Sequence, residues 1–455
     1  MSLKVQPKDL AEAKSLLATL VEMQGVSFPE SPQYSLETLT KLAHVVGEKF
    51  QELSFQVSYF PKKGIGPYVL AERHEKADLP TLLFYMHYDV QPVDLAQWAT
   101  NPFRLEEKDS RLYGRGASDD QGGIVAVWTA LKVHLAAKKE FGFNLKVLIE
   151  GDEEYGATDI GDFIKERKQE LQADALIVMD GMNSDINTGT LQLSTRGIVT
   201  LHLKVEALKQ PTHSGIGCIA PDPIQYLASL ISSLSNPLLV KGFMEGATPY
   251  TAKEREFLQK SSIAHAQYAK DAGMLNGTKL RGDPTHTVFE QVALAPSITV
   301  LHMQSGKANG PNVVQPSAEC SIQARILPGQ DPAQVQKSLQ DYLEKVDNPT
   351  ACQLSISPLG LPAKGWKGRT EGPIFQKYMD AISANFPRSA LMPTGGTLPL
   401  LSEFQEQYPR MEILVPGVED PDTSAHSHNE SQDLQLWERV MNTLLNFFDR
   451  IAMPK

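Results

Sequence analysis

Thr81-Leu82-Leu83-Phe84-Tyr85-Met86-His87-Tyr88-Asp89 is the stretch on which the fold turns. Its aliphatic and aromatic run reads as a buried strand, and open α/β sheets place their chemistry at the carboxyl ends of such strands. The two-residue period of a strand turns His87 and Asp89 to one side. There one side chain can bind a cation while the other orients it. His-x-Asp alone is equally compatible with an ordinary strand end, so the weight lies in what surrounds it.

Downstream, Gly114-Arg115-Gly116-Ala117-Ser118-Asp119-Asp120-Gln121-Gly122-Gly123 reads as a tight turn leading into a helix over Ile124–Lys138. Its paired aspartates suit either a helix cap or, more sharply, a carboxylate bridging two cations. A second apolar strand, Asn144–Ile149, runs into Glu150-Gly151-Asp152-Glu153-Glu154. Acids packed this closely repel one another unless protons or cations compensate, although a charge run in a loop is often just solvated. A third strand, Ala175–Met179, ends at Asp180, and Ile413-Leu414-Val415 leads towards Ser424-Ala425-His426-Ser427-His428-Asn429-Glu430. Histidines and carboxylates gathered at strand ends make a nitrogen-and-oxygen donor set suited to zinc, manganese or cobalt.

Composition narrows the class. A chain of 455 residues is long enough for two domains, and a net charge of −11 argues against nucleic-acid binding through a basic surface. No apolar run is long enough to cross a membrane, so no membrane partner is expected. The three cysteines, Cys218, Cys320 and Cys352, show no Cys-x-x-Cys spacing and read as core residues. With a start that lacks the apolar core of a secretory signal, they predict a cytoplasmic setting.

Helical patterns at Ala11–Gln24 and Ser35–Gln51 precede the strands, giving an α/β domain whose mixed sheet carries helices on both faces. From Thr190 the texture changes. Alternating strands at Leu191–Thr195, Val199–Val205, Ser297–Met303, Ala318–Ile326 and Cys352–Ser357, with helices at Asp222–Leu234 and Pro332–Val346, describe an inserted α+β layer. The expected division is a catalytic domain over residues 1–190 and 365–455, interrupted by a lid and dimerisation domain over 191–364.

The runs His87-Tyr88-Asp89-Val90-Gln91-Pro92, Leu112-Tyr113-Gly114-Arg115-Gly116 with Asp119-Asp120, Gly151-Asp152-Glu153-Glu154, and Ala425-His426-Ser427 with Asn429-Glu430 resemble the M20 metallopeptidases, in their dipeptidase and carnosinase-like branch. The resemblance implies two divalent metal ions, zinc first, with manganese or cobalt as alternatives. His87, Asp119 and Asp180 would hold one; Asp119, Glu154 and His426 would hold the other. Glu153 would be the general base and Asp89 the support of His87, and the Asp119–Asp120 peptide would be cis. His213, in Pro211-Thr212-His213-Ser214-Gly215, would reach the active site of the other subunit of a homodimer. Asn312 and Arg325 match lid positions, Arg325 suiting a substrate carboxylate. Gly396 and Thr397, in Gly395-Gly396-Thr397-Leu398-Pro399, match a substrate loop.

The implied reaction is hydrolysis of the amide bond of a dipeptide or small peptide. An N-acyl amino-acid substrate is the alternative, because Thr394 stands where the dipeptidases carry an acid suited to a substrate ammonium. The stretch Gly217-Cys218-Ile219-Ala220-Pro221 also departs from the paired glycines expected after His213. Outside enzymology, the remaining reading is an inactive metal-binding dimeric scaffold.

Overall fold

The computed structural model describes residues 3–157, 159–307 and 310–452. A six-stranded sheet runs in the order Gln56–Lys62, Ile65–Arg73, Asn144–Glu150, Thr81–His87, Ala175–Val178, Glu412–Leu414. The last four are mutually parallel, and the first two form an antiparallel hairpin on one edge. Parallel pairing brings the carboxyl ends of four strands to the same sheet edge, which is why residues far apart in sequence converge there.

The strand Thr81–His87 is buried on both faces. Leu82, Phe84 and Met86 enter one core layer, beneath Pro7–Glu22, Leu36–Glu52, Gln121–Lys138, Pro373–Asn385 and Leu434–Ala452. Leu83 and Tyr85 enter the other, under Ile160–Glu166 and Pro399–Gln407. Burial on both faces explains the continuous apolar run in place of an alternating one.

A separate antiparallel sheet of four strands has the order Ser297–Gln304, Ser317–Ile326, Gly197–Glu206, Gln353–Pro358. Val199, Leu201, Leu203 and Val205 alternate inwards beneath the helices Pro223–Ser233 and Pro332–Leu343. This is the α+β layer that the sequence predicts.

Three features depart from the sequence reading. Thr188–Ser194 lies outside the antiparallel sheet and pairs in parallel with Arg388–Pro393. Residues 235–296 carry the helices Ala252–Ser261, His265–Asp271 and Val288–Leu294, and Tyr250, Leu258, Val288, Phe289 and Ala293 join the same core layer as the helices of the large sheet. Lys367 ties this excursion down, 2.9 Å from Glu254 and over the Tyr250 ring. No periodicity announces it, because Ala252–Ser261 buries only Glu254 and Leu258. Finally, the helix after the glycine-rich turn starts at Gln121 rather than Ile124. A Cβ on Gly122 would lie 2.3 Å from the Ala117 carbonyl oxygen, and one on Gly123 would lie 1.9 Å from Asp120 Oδ1. These glycines permit close approach at the helix start, so they belong to the helix and not to the turn.

Among the described residues no helix is long and apolar enough to cross a membrane. All three cysteines are free; Cys320 and Cys352 are buried as core residues, whereas Cys218 is exposed in the loop after His213. Its neighbours Gly217 and Ile219 are exposed as well, so none of the described residues packs over this loop.

Candidate metal centre and active site

The strand ends at His87, and Asp89 lies in the loop beyond it. His87 Nδ1 lies 3.1 Å from the Asp89 backbone oxygen, which turns Nε2 towards Asp119 Oδ1 at 3.0 Å. The Asp89 carboxylate, whose Oδ1 also lies 3.5 Å from His87 Nδ1, has a second task. It accepts the backbone N–H groups of Glu153 at 3.2 Å and Glu154 at 3.1 Å, pinning the acidic loop to the end of the neighbouring strand. Tyr88 fits beside that loop because Gly151 has no side chain: a Cβ there would lie 2.1 Å from the Tyr88 hydroxyl.

Asp119 sits at the middle of the centre, after which the peptide bond to Asp120 is cis. Its two carboxylate oxygens face different histidines, Oδ1 towards His87 Nε2 and Oδ2 towards His426 Nε2, each at 3.0 Å. His426 Nε2 also lies 2.9 Å from Glu154 Oε2, to which Gln91 donates at 2.8 Å. The backbone at His426 is left-handed, with φ of 60°. Such backbone is uncommon outside glycine and concentrates at functional sites. Asp120 makes no side-chain cap to the helix that follows, so the capping alternative does not hold; its Oδ2 accepts the His87 N–H at 3.3 Å.

Two donor groups result, His87 with Asp119 and Asp180, and Asp119 with Glu154 and His426; within each, the donor atoms lie within 4.8 Å of one another. Whether these residues fit cations is tested by what surrounds them. His87 Nε2 and Glu154 Oε1 are buried without a hydrogen-bond partner. Burial and the neighbouring Asp119 push the Asp180 carboxyl up to about 7, and burial raises Glu154. Glu153 is raised well above the ordinary carboxyl range by burial and by Asp180, Glu154 and Asp119. For Asp119 burial acts upwards too, but the adjacent imidazoles of His426 and His87 hold it below its ordinary value. A cluster of acids this crowded is relieved by positive charge, and unpartnered imidazole and carboxylate donors are what divalent cations require.

Glu430 follows Asn429 in a motif that by itself assigns it no role. It is fully buried and accepts backbone N–H groups from Gly116, Ser118 and Asp119 at 3.0–3.1 Å, while Arg115 Nη1 pairs with it at 2.6 Å. Glu430 thus holds the turn that presents Asp119. Glu419 was missed altogether. It is buried at the end of a short strand, and burial together with Asp119 and Asp180 raises its carboxyl well above the ordinary range. A lone acid in Gly417-Val418-Glu419 gives no sequence signal, since only the pairing of Gly417–Glu419 with Gly181–Met182 brings it near.

The remaining expected residues fall in two places. His213 is exposed on a short strand paired with Val313–Val314, its Nδ1 accepting the Gly215 N–H at 3.0 Å. The Asn312 carbonyl accepts the Ser214 N–H at 3.0 Å, so His213 and Asn312 are neighbours, and neither belongs to the donor groups of its own chain. Arg325 and Thr397 meet elsewhere, with Arg325 Nη1 donating to Thr397 Oγ1 at 2.8 Å. The Gly396 carbonyl accepts the Arg196 N–H at 2.8 Å, and Thr394 Oγ1 accepts the Gly396 N–H at 3.2 Å.

Two donor groups sharing Asp119, set by the carboxyl ends of the parallel strands with a separate α+β layer, define a metallopeptidase architecture, and the chain belongs to peptidase family M20/M25/M40, whose model matches residues 83–452. A cysteinylglycine-S-conjugate dipeptidase from Corynebacterium striatum is 30% identical over 413 residues, spanning 89% of this chain and 88% of its own. Human carnosine dipeptidase 1 shares the fold with a TM-score of 0.77 and 24% identity, over 97% of both chains. The metallo-carboxypeptidase Sso-CP2 of Sulfolobus solfataricus does so with a TM-score of 0.82 and 24% identity, over 97% of this chain and 99% of that one.

Proposed function

We propose that this metallopeptidase hydrolyses the amide bond of dipeptides or other small peptides at a centre of two divalent cations, zinc or alternatively manganese or cobalt. The observation that carries the reading is Asp119, whose two oxygens serve two donor groups at once. His87, Asp119 and Asp180 hold one cation; Asp119, Glu154 and His426 hold the other. The cations supply Lewis acidity towards a carbonyl and towards water. Glu153 accepts the proton of the attacking water and delivers it to the leaving amine. Glu153 belongs to neither donor group, which leaves its carboxyl free for both halves of that transfer. Asp89 fixes the backbone that carries Glu153, and Arg325, with Gly396 and Thr397, receives the substrate carboxylate. The dipeptidase relative supports the substrate class.

Thr394 favours a second reading, N-acyl amino-acid hydrolysis, because its hydroxyl is bound to the Gly396 N–H and offers no negative charge to a substrate ammonium. Parallel assays of the metal-loaded protein on dipeptides and on N-acetylated amino acids separate the two. Turnover of free dipeptides is expected. Turnover confined to the acylated compounds would establish the second reading, and bound metal without turnover on either set would leave the scaffold.

Activity on this proposal requires a homodimer. The edge strand Ser297–Gln304 leaves Val300, Leu301 and Met303 exposed, an apolar edge suited to pairing with its copy. His213, exposed beside Asn312, then serves the other subunit as an oxyanion donor. Mixing inactive His213→Ala and Glu153→Ala chains is expected to restore about a quarter of the sites when subunits exchange randomly across a two-fold axis. No recovery despite demonstrated exchange would remove His213 from the partner's site.

A further inference from the structure

A cavity of about 470 Å³ opens where the excursion 235–296 meets the antiparallel sheet and the substrate loop, lined in part by Gly395 and Arg325. Its size is that of a small-molecule site. The lining is unusual for this chain. Acids outnumber basic residues 54 to 43 overall, yet Arg196, Arg281, Arg325 and His265 contribute to the wall and no aspartate or glutamate does.

None of the three arginines has a carboxylate within salt-bridge distance among the described residues. Arg196 is buried and spent on structure, donating Nε to the Val292 carbonyl at 2.7 Å and Nη2 to the Gln291 carbonyl at 3.3 Å. Arg281 is held at the mouth by the Ile298 and Ser235 carbonyls, at 3.0 and 3.1 Å. Those bonds use part of its five-donor fork and fix its orientation, leaving the remaining donors for another acceptor. Arg325 spends one N–H on Thr397, and burial lowers its pKa with no anion in return. Positive charge has been gathered, oriented and left uncompensated.

We propose that this cavity is an anion-accepting subsite for a side-chain carboxylate on the residue that carries the substrate's terminal carboxylate. This rests on the dipeptidase reading above and sharpens it. With the terminal carboxylate at Arg325, Arg281 receives the side-chain carboxylate, and the substrates favoured are dipeptides ending in glutamate or aspartate.

Steady-state kinetics of the metal-loaded protein on Ala-Glu, Ala-Gln and Ala-Leu test this. Ala-Glu is expected to exceed its isostere Ala-Gln in kcat/KM by at least about tenfold, the scale of one charge-assisted hydrogen bond, with the difference residing in KM. In Arg281→Gln that ratio falls towards one, and in Arg281→Lys part of it returns. Each ratio is taken within one variant, so a reduced fraction of folded protein cancels. A wild-type ratio near one overturns the subsite while leaving dipeptide hydrolysis intact. A ratio that survives Arg281→Gln overturns the assignment to this cavity. No turnover on any of the three dipeptides would remove the dipeptidase reading and this inference with it.

Discussion

Glu153→Gln is expected to retain both cations and the fold while lowering kcat by at least about 10²-fold, the scale of a positioned general base. The substitution preserves shape and removes only the capacity to accept a proton. None of the donor atoms of the two metal groups belongs to Glu153, so metal content measured by elemental analysis should be unchanged. Its backbone N–H bond to Asp89 does not depend on the side chain, so the loop keeps its place. The loss should therefore appear in kcat with little change in KM, the pattern of an interaction made in the transition state. A variant with near-normal kcat would transfer the role to another acid. Glu419 would be next to test, because it too is buried beside Asp119 and Asp180 with a raised proton affinity.

What was legible in the sequence follows from how locally each feature is encoded. The strand Thr81–His87 announces itself because burial on both faces demands unbroken apolar residues. His87, Asp119, Glu154, Asp180 and His426 could be picked out because each follows a strand or tight turn, and the family resemblance supplied their grouping. The support around them was less legible. Asp89 was expected to support the His87 ring, and its carboxylate does lie 3.5 Å from Nδ1, but the strand stops one residue after Met86 and the Asp89 backbone oxygen comes closer, at 3.1 Å. The alternation rule fails once the chain leaves the strand. Glu430 binds backbone N–H groups more than 300 residues away, and no local pattern records such a contact. The helices of 235–296 escaped for a related reason: Ala252–Ser261 buries only two residues and His265–Asp271 none, and Val288–Leu294 is a short helix packed against Arg388–Pro393, far later in the chain.

Asp119→Ala is expected to release both cations together, where His87→Ala and His426→Ala each empty mainly one site. The asymmetry follows from the geometry: each histidine belongs to one donor group, whereas Asp119 belongs to both. Removing it takes a donor from each cation and withdraws the negative charge that lies between two positive ones. Coulomb repulsion between cations sharing a low-dielectric pocket then opposes joint occupancy. The loss of affinity should exceed the roughly 10–100-fold cost of altering an outer partner of a ligand. Asp119→Asn serves as the control for folding, because it keeps the side-chain volume, and the Asp119 backbone N–H still reaches Glu430. An amide presents one oxygen in place of two, so Asp119→Asn should bind at most one equivalent tightly. Equilibrium dialysis with metal analysis reads the stoichiometry directly. Two equivalents at wild-type affinity in Asp119→Ala would mean that Asp119 does not bridge, and the shared carboxylate would have to be sought at the adjacent Asp120, which is buried with Oδ1 unpartnered.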